Sequence, residues 1–468
     1  EAANQPANLP IPGQDVILRT SWEEATAAAD AYNEPGQFSA LIGWEWTSIP
    51  AGANLHRVVF MDGDGAAARE FVPLTAPENN HPEFLWRWLV EVSALTGADF
   101  IAIPHNSNIS RGFMFPAENR LSGEPIDSEW IDLRARWETV VEVTQIKGDS
   151  ETHPTLSPDD PFADFEGYPH IISPRPIPYE PSAADFARSA LLTGMQLQQR
   201  FGANPYRFGM IGATDSHTGL ATAEEPNFWG KFPMDGALAT KTDSVGDMEN
   251  YGWLISASGL AGVWARENTR EAIMAAFKRR EVYATTGPMI RVKVYASDQI
   301  PLDDHGMVVE EQLAASGVPM GGELTALQGP PGFYIQADKD PRSAHLDRIQ
   351  VIKGWLDGGV SREKVFDVAW SAERVPGEEG RVPPVPDTVD AESGLYSNEH
   401  GAATLTALWT DPEFEPDQPA FYYVRVLEIP TPRHSTLDAV ALGMPVEETG
   451  HPVSIQERAY TSPIHYRP

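Results

Sequence analysis

The sequence predicts an α/β protein in two parts, a mostly parallel β/α unit over residues 1–290 and an antiparallel, sandwich-like β region over residues 291–468. Three observations lead there. Short apolar runs alternate with segments of helical spacing through the first part, the pattern of β/α units. Several of those runs stop at a histidine or an acid, as strands do at the rim of a parallel barrel, where loops converge above a solid aliphatic interior. After residue 290 the pattern changes to short alternating runs divided by Pro, Gly and Asp, which reads as antiparallel strands.

Taken in order, "SWEEATAAADAYNE" (21–34) reads as a helix whose Ser21 and Glu24 have capping-box spacing. "FSALIGWEWTS" (38–48) is a strand running to Glu45, and "NLHRVVF" (54–60) is a second extended segment carrying His56. "PEFLWRWLVEVSALTGA" has apolar residues at helical spacing and a glycine near its end, a helix stop signal. "DFIAIPHNSN" is a short apolar run ending at His105. "TVVEVTQIKG" repeats the form, with Glu142 and Gln145 near its end and Lys147 just beyond. "FARSALLTGMQLQQRFG" supplies the next helix, and "RFGMIGATDSH" the next strand, ending at Asp215 and His217. If that strand stays extended, Asp215 and His217 share a face, because strand side chains alternate with period two. The helix "TREAIMAAFKRREVYATTGP" and its Gly-Pro exit close the first part. Beyond it, "IRVKVYAS", "GFYIQADK", "LDRIQVIKGW", "KVFDVAW", "GAATLTALW" and "AFYYVRVLEI" are the strands of the second, and the Pro-rich acidic insert at 371–399 is a surface loop.

Composition narrows the function. The 468 residues carry 34 basic and 67 acidic side chains, a formal charge of −33, which disfavours nucleic acid and anionic lipid as partners. There is no apolar run near the ~18 residues a membrane span needs. With zero cysteines there are no disulfides, thiolate nucleophiles or Cys-held zinc, so any metal must be held by His, Asp or Glu. The acidity fits a periplasmic or secreted setting. Glu45, His56, His105, Asp215 and His217 then form a set of three imidazoles and two carboxylates at strand ends, suited to Zn, Mn or Fe. Each also has a plain structural reading: a hydrogen-bonded core carboxylate for Glu45, a surface contact for His56, a turn cap for His105, and a polar strand end for Asp215 with His217.

"GWEWTS", "NLHRVVF", "IPHNSNIS", "EVTQIKGDSETHP", "GATDSHTGL", "REVYATTGP" and "ERAYTSPIHYRP" together resemble the bacterial family DUF3604, itself similar to the PHP (polymerase and histidinol phosphatase) metallohydrolases. The resemblance implies a distorted (β/α)7 barrel whose rim binds two or three metal ions and hydrolyses phosphate esters. It implies Glu45 as a bridging carboxylate, His56 and His105 as ligands on the following strands, and Asp215 and His217 as the closing ligands and catalytic pair. Members also carry an upstream H-x-H pair, whereas no histidine precedes His56 here. The barrel is therefore expected to lack its first strands in this chain, with a further N-terminal segment or a cleaved companion chain of roughly one hundred residues or more supplying them.

The expected chemistry is hydrolysis of a small anionic ester, a phosphoester foremost, by metal-bound hydroxide, since a bound ion lowers the pKa of water to about 7. Arg57, Asn106, Asn108, Arg111, Lys147 and His153 are the candidate substrate contacts, with Arg57 and Arg111 also readable as surface ion-pair partners. No G-x-S-x-G elbow supports a serine hydrolase. Two other classes compete: a metal-independent glycosidase using Glu142 with Glu151, and a non-catalytic protein that binds a sugar or ester through its sandwich.

Overall fold

The computed structural model describes residues 13–76, 79–173, 175, 177–220, 223–233, 236–243, 251–257, 259–377 and 380–468. Helix α1 (Gln14–Ala31) opens it. The helix begins seven residues before Ser21, which therefore lies inside it rather than capping it; no Pro or Gly interrupts Gln14–Thr20, so nothing stops the helix there. Trp22 and Thr26, one turn apart, are its buried anchors.

Strands β1 (Ile42–Trp46) and β2 (Arg57–Met61) follow, then the short α2 (Gly65–Ala68), α3 (Pro82–Thr96) and β3 (Phe100–Pro104). Gly97 ends α3 in the left-handed region, φ 72°, the stop that its sequence announces. The three strands form one sheet in the order β1-β2-β3, and both pairings are antiparallel. This corrects the expectation of parallel strands. The link from β1 to β2 holds only a 3-10 turn at Pro50–Gly52, too little for a crossover helix. The link from β2 to β3 holds α2, an extended stretch and α3, and it too delivers the chain in the opposite direction.

Helix α4 (Ser128–Trp137), capped by Asp127 accepting from the Trp130 amide at 2.9 Å, leads into β4 (Val140–Gln145), wholly buried, and β5 (Gly148–Asp149). Helix α5 (Ala187–Phe201) then crosses to β6 (Gly209–Gly212), which pairs parallel with β4. After α6 (Tyr251–Leu254) come β7 (Leu260–Val263), α7 (Arg270–Arg279) and β8 (Val282–Thr285). Strand β3 lies beside β4, and β6 beside β8, but among the described residues these sheets do not close into a barrel.

The remaining chain is rich in β structure. It contains β9 (Arg291–Ser297), α8 (Glu310–Ser316), β10 (Val318–Pro319), β11 (Glu323–Thr325), β12 (Gly332–Asp338), β13 (Leu346–Asp357), β14 (Val360–Trp370) and β15 (Thr404–Thr410). Then follow β16 (Ala420–Glu428), β17 (Thr431–Pro432), α9 (His434–Leu442), β18 (Ser454–Ile455), β19 (Arg458–Thr461) and β20 (Ile464–Arg467). One sheet has the order β10-β9-β12-β15; the other runs β11-β20-β16-β19-β8-β7, with the β13–β14 hairpin joined to β16. Val292, Val294, Phe333 and Ile335 of the first sheet share a core with Ile349, Val351, Val424 and Val426 of the second, the inner faces of a sandwich. The hairpin turns at Gly358–Gly359, both at positive φ, as a two-residue turn matched to strand twist requires. Because β8 pairs with β19, this larger sheet is continuous with the β/α region. Among the described residues no helix is long and apolar enough to cross a membrane.

Candidate metal centre

Antiparallel pairing sets three polar side chains at one edge of the first sheet. Glu45 is near the C-terminal end of β1, His56 immediately precedes β2, and His105 immediately follows β3. In β1, Ile42 and Trp46 are buried, so alternation turns Glu45 away from the face they share. Asn54 donates to the His105 carbonyl at 2.7 Å and the His105 amide to the His56 carbonyl at 3.4 Å, which locks the two histidine segments together.

Glu45 Oε1 meets His56 Nδ1 at 2.6 Å and His105 Nε2 at 3.2 Å, and the two rings stand edge to face with centroids 5.4 Å apart. One donor atom from each residue lies within 4.8 Å of the others, a spacing that can hold a metal ion. The Glu45 side chain is 30% exposed, so the set is reachable from solvent, while both histidines are buried. Burial would raise the Glu45 carboxyl, but the hydrogen bonds from His105 and His56 hold it well below the usual carboxylate range. Burial pushes His56 down to about 4 despite Glu45. For His105 burial acts the same way but is outweighed by Glu45 and by the charges of Glu142 and Asp215, so its value rises. The two rings differ because His105 senses three carboxylates, whereas His56 senses one together with the Lys147 ammonium. The donors fit a divalent ion: His56 Nδ1 and His105 Nε2 converge on one oxygen of an anionic carboxylate, a nitrogen and oxygen set suited to such an ion.

Asp215 and His217 stand outside this 4.8 Å group. The expectation that they share the face of one strand fails because β6 ends at Gly212 and Asp215 has φ 50°, left-handed backbone in which period-two alternation no longer applies. Asp215 is clamped by two lysines: Lys147 donates to Oδ2, and Lys231 Nζ lies 2.8 Å from the same oxygen. Against burial, these ammoniums hold Asp215 well below the usual carboxylate range. Burial and the neighbouring Lys147 push Lys231 down to about 8. His217 is exposed and stacks on Phe232, centroids 5.3 Å apart; burial and Lys231 lower its value. Burial pushes Glu142 up to about 7, and its Oε1 has no hydrogen-bond partner. Sequence reading missed Lys231, a single lysine in a loop without a pattern. It noticed Glu142 but gave it to a different chemistry.

The expected substrate contacts scatter. Arg57 is fully buried, donating to Glu138 at 2.9 Å and the Leu55 carbonyl at 2.6 Å, so it is a core ion pair rather than a surface residue or a ligand contact. Arg111 is exposed and bonds the Ala51 carbonyl. Asn106 accepts from Gln145 at 2.6 Å, and its own amide nitrogen is buried without a partner. Asn108 donates to the Lys147 carbonyl at 2.9 Å and lines, with His153, a cavity of about 320 Å³. Lys147 is the candidate that stands beside Asp215. The Glu142–Glu151 pair is not available for glycosidase chemistry, because Glu151 is enclosed by Arg188 at 2.6 Å and the Tyr423 hydroxyl.

Neither a curated protein nor a solved structure matches the chain. A family profile does, over almost every residue including all of the segments that build this centre. That profile, described as "Protein of unknown function (DUF3604)", matches residues 3–468, and the chain belongs to this family.

Proposed function

We propose that this protein is a metal-dependent hydrolase of a small anionic ester, a phosphoester foremost, similar in chemistry to the PHP metallohydrolases. The observation that carries the reading is the convergence of Glu45, His56 and His105, two imidazoles and a carboxylate with one side open to solvent. These three residues would hold Mn, Zn or Fe. A divalent ion there supplies Lewis-acid activation of water and of the ester oxygen. Glu45 orients both rings by accepting from each, and its anionic state keeps the position attractive to a cation. Lys147 and Lys231 bring two ammoniums to one carboxylate, and these are the cations on which an anionic substrate would rest in an otherwise acidic protein. On this reading the sheets between residues 42 and 285 are an open PHP-like barrel wall, with the donor set at its rim.

The test is metal analysis of the purified chain together with hydrolysis of p-nitrophenyl phosphate in the presence of Mn or Zn. His105→Ala is expected to lose most of the bound metal. Its activity should fall by more than the roughly 10–100-fold that loss of an outer metal-shell partner costs. Turnover that survives exhaustive chelation, or unchanged metal content in the folded variant, rejects the proposal.

A further inference from the structure

A second cavity, about 350 Å³ in volume, lies far along the chain from the Glu45 set and has none of its residues in the wall. That volume is within the range of small-molecule sites. Glu225, Glu457, Thr431, Tyr396, Leu437 and Arg342 are among its lining residues. Glu225 and Glu457 are 8% and 3% exposed, and with Asp340, whose oxygens accept the Met289 and Arg342 amides, they are the buried carboxylates of the wall. Their present partners are few. Glu457 accepts through Oε2 from the Thr286 hydroxyl, and its Oε1 is buried with no hydrogen-bond partner. Glu225 accepts the His434 amide.

The nearby cations are committed elsewhere among the described residues. Arg433 is held by both oxygens of Glu166, at 2.8 and 2.9 Å, Lys241 is on Asp438 at 2.8 Å, and Arg342 is at the surface on Glu224 at 3.2 Å. Independently of the acids, Thr431, 7% exposed, also lines the cavity, and its hydroxyl is buried without a partner. A buried polar atom left unpaired costs free energy, and such atoms gathered on one cavity are what a complementary ligand satisfies.

We propose that this cavity binds a small organic cation, an ammonium or guanidinium compound, whose charged head lies between Glu225 and Glu457 and hydrogen-bonds Glu457 Oε1 and Thr431 Oγ1. The charge follows from the wall: its buried carboxyls gain a counter-charge, and can ionise, only when a cation enters. The size follows from the cavity, whose volume of about 350 Å³ holds an organic molecule, and among the described residues the one group of three or more donors close enough for a bare metal ion is Glu45, His56 and His105. Tyr396 and Leu437 supply the apolar and aromatic wall on which the carbon skeleton of an amine packs. Burial raises both carboxyls, Glu225 to about 8 with the charge of Glu166 adding to it and Glu457 with that of Glu225, so an incoming cation displaces the protons they hold.

Calorimetric titration of the full chain with putrescine, agmatine, choline and glucosamine tests this, with 1,4-butanediol and calcium chloride alongside. At least one amine is expected to bind saturably at one site, while the diol does not bind. Glu457→Gln and Glu225→Gln should each weaken that binding by about tenfold or more, the scale for removing one partner of a buried charged contact. Thr431→Val, close in shape, should weaken it less but measurably, and it decides the matter if a glutamate variant fails to fold. Absence of saturable binding by all of the amines overturns the proposal. So does binding that is unchanged in the folded Thr431→Val and Glu457→Gln variants, or calcium that displaces the amine as the better ligand.

Discussion

Glu45 and Glu428 are both carboxylates packed among protein atoms, and their neighbours drive them in opposite directions. Glu45 accepts from two imidazoles and stays anionic. Glu428 is wholly buried with the Ser343 hydroxyl on Oε2, at 2.7 Å, and the Ala344 backbone as partners and none on Oε1, so burial prevails and pushes it up to about 8. The folded chain therefore keeps a proton on Glu428 that the unfolded chain, with a carboxyl near 4.5, releases. Between those values the native state binds more protons, so this group's contribution to stability falls as pH rises from about 4.5 to about 8. Glu428→Gln removes the titration and keeps the shape. Urea unfolding should show the variant gaining on the wild type as pH rises through that window, by up to about 1.4 kcal/mol per pH unit. A difference that stays flat between pH 5 and 8 would falsify this assignment.

Strand positions were legible in the sequence, and strand pairing was not. The quoted runs at 38–48, 54–60 and 99–108 overlap β1, β2 and β3, because apolar runs punctuated by polar residues mark strands locally. Their antiparallel sense depends on the paths of the connecting segments, which no local pattern encodes. The same holds for β6, whose final Gly212 passes against backbone. A Cβ there would lie 2.7 Å from the Thr285 carbonyl oxygen and 2.8 Å from that of Leu260. Main-chain atoms of β7 and β8 cannot swing aside as a side-chain tip can. Gly212→Ala is expected to cost on the order of 1–3 kcal/mol in chemical denaturation. Gly329→Ala, where nothing lies within 4 Å, should stay within about 0.5 kcal/mol. Equal effects at the two sites would show that close backbone approach is not what Gly212 serves.

At the scale of the whole molecule, the sandwich and the β/α region meet through a fully buried charge network. Arg188 of α5 lies 2.6 Å from Glu151 and 2.8 Å from Asp160, and Arg425 of β16 lies 2.7 Å from Asp160. The Tyr423 hydroxyl donates to Glu151 and lies 2.8 Å from Arg188 Nε. All of these charges are removed from water, so losing either arginine strands a carboxylate. Arg188→Met and Arg425→Met should each destabilise the protein by about 3–5 kcal/mol. Because they share Asp160, the double variant should fall short of the sum, measured by a double-mutant cycle. Strict additivity would mean that the two arginines act as independent pairs. A formal charge of −33 gives no hint of this, since it counts arginines without saying that several of them serve the interior.

Local chemistry alone determined the absence of cysteine ligands, the alternation of strands and helices, the β-rich and, except for the parallel β11–β20 pair, antiparallel character of the C-terminal region and the places of Glu45 and His105 where strands stop, while His56 stands at the start of its strand. Those features depend on residue type and short-range periodicity. Tertiary structure decided which of the expected ligands converge. Asp215 is two residues from His217, yet its left-handed backbone and its contacts with Lys147 and Lys231 hold it outside the Glu45 group. Lys231 and Glu142 enter the same neighbourhood from a loop and a separate strand. Electrostatic partnership is set by distance in space, and distance in space between residues far apart in the chain is fixed only when the sheets are paired and packed.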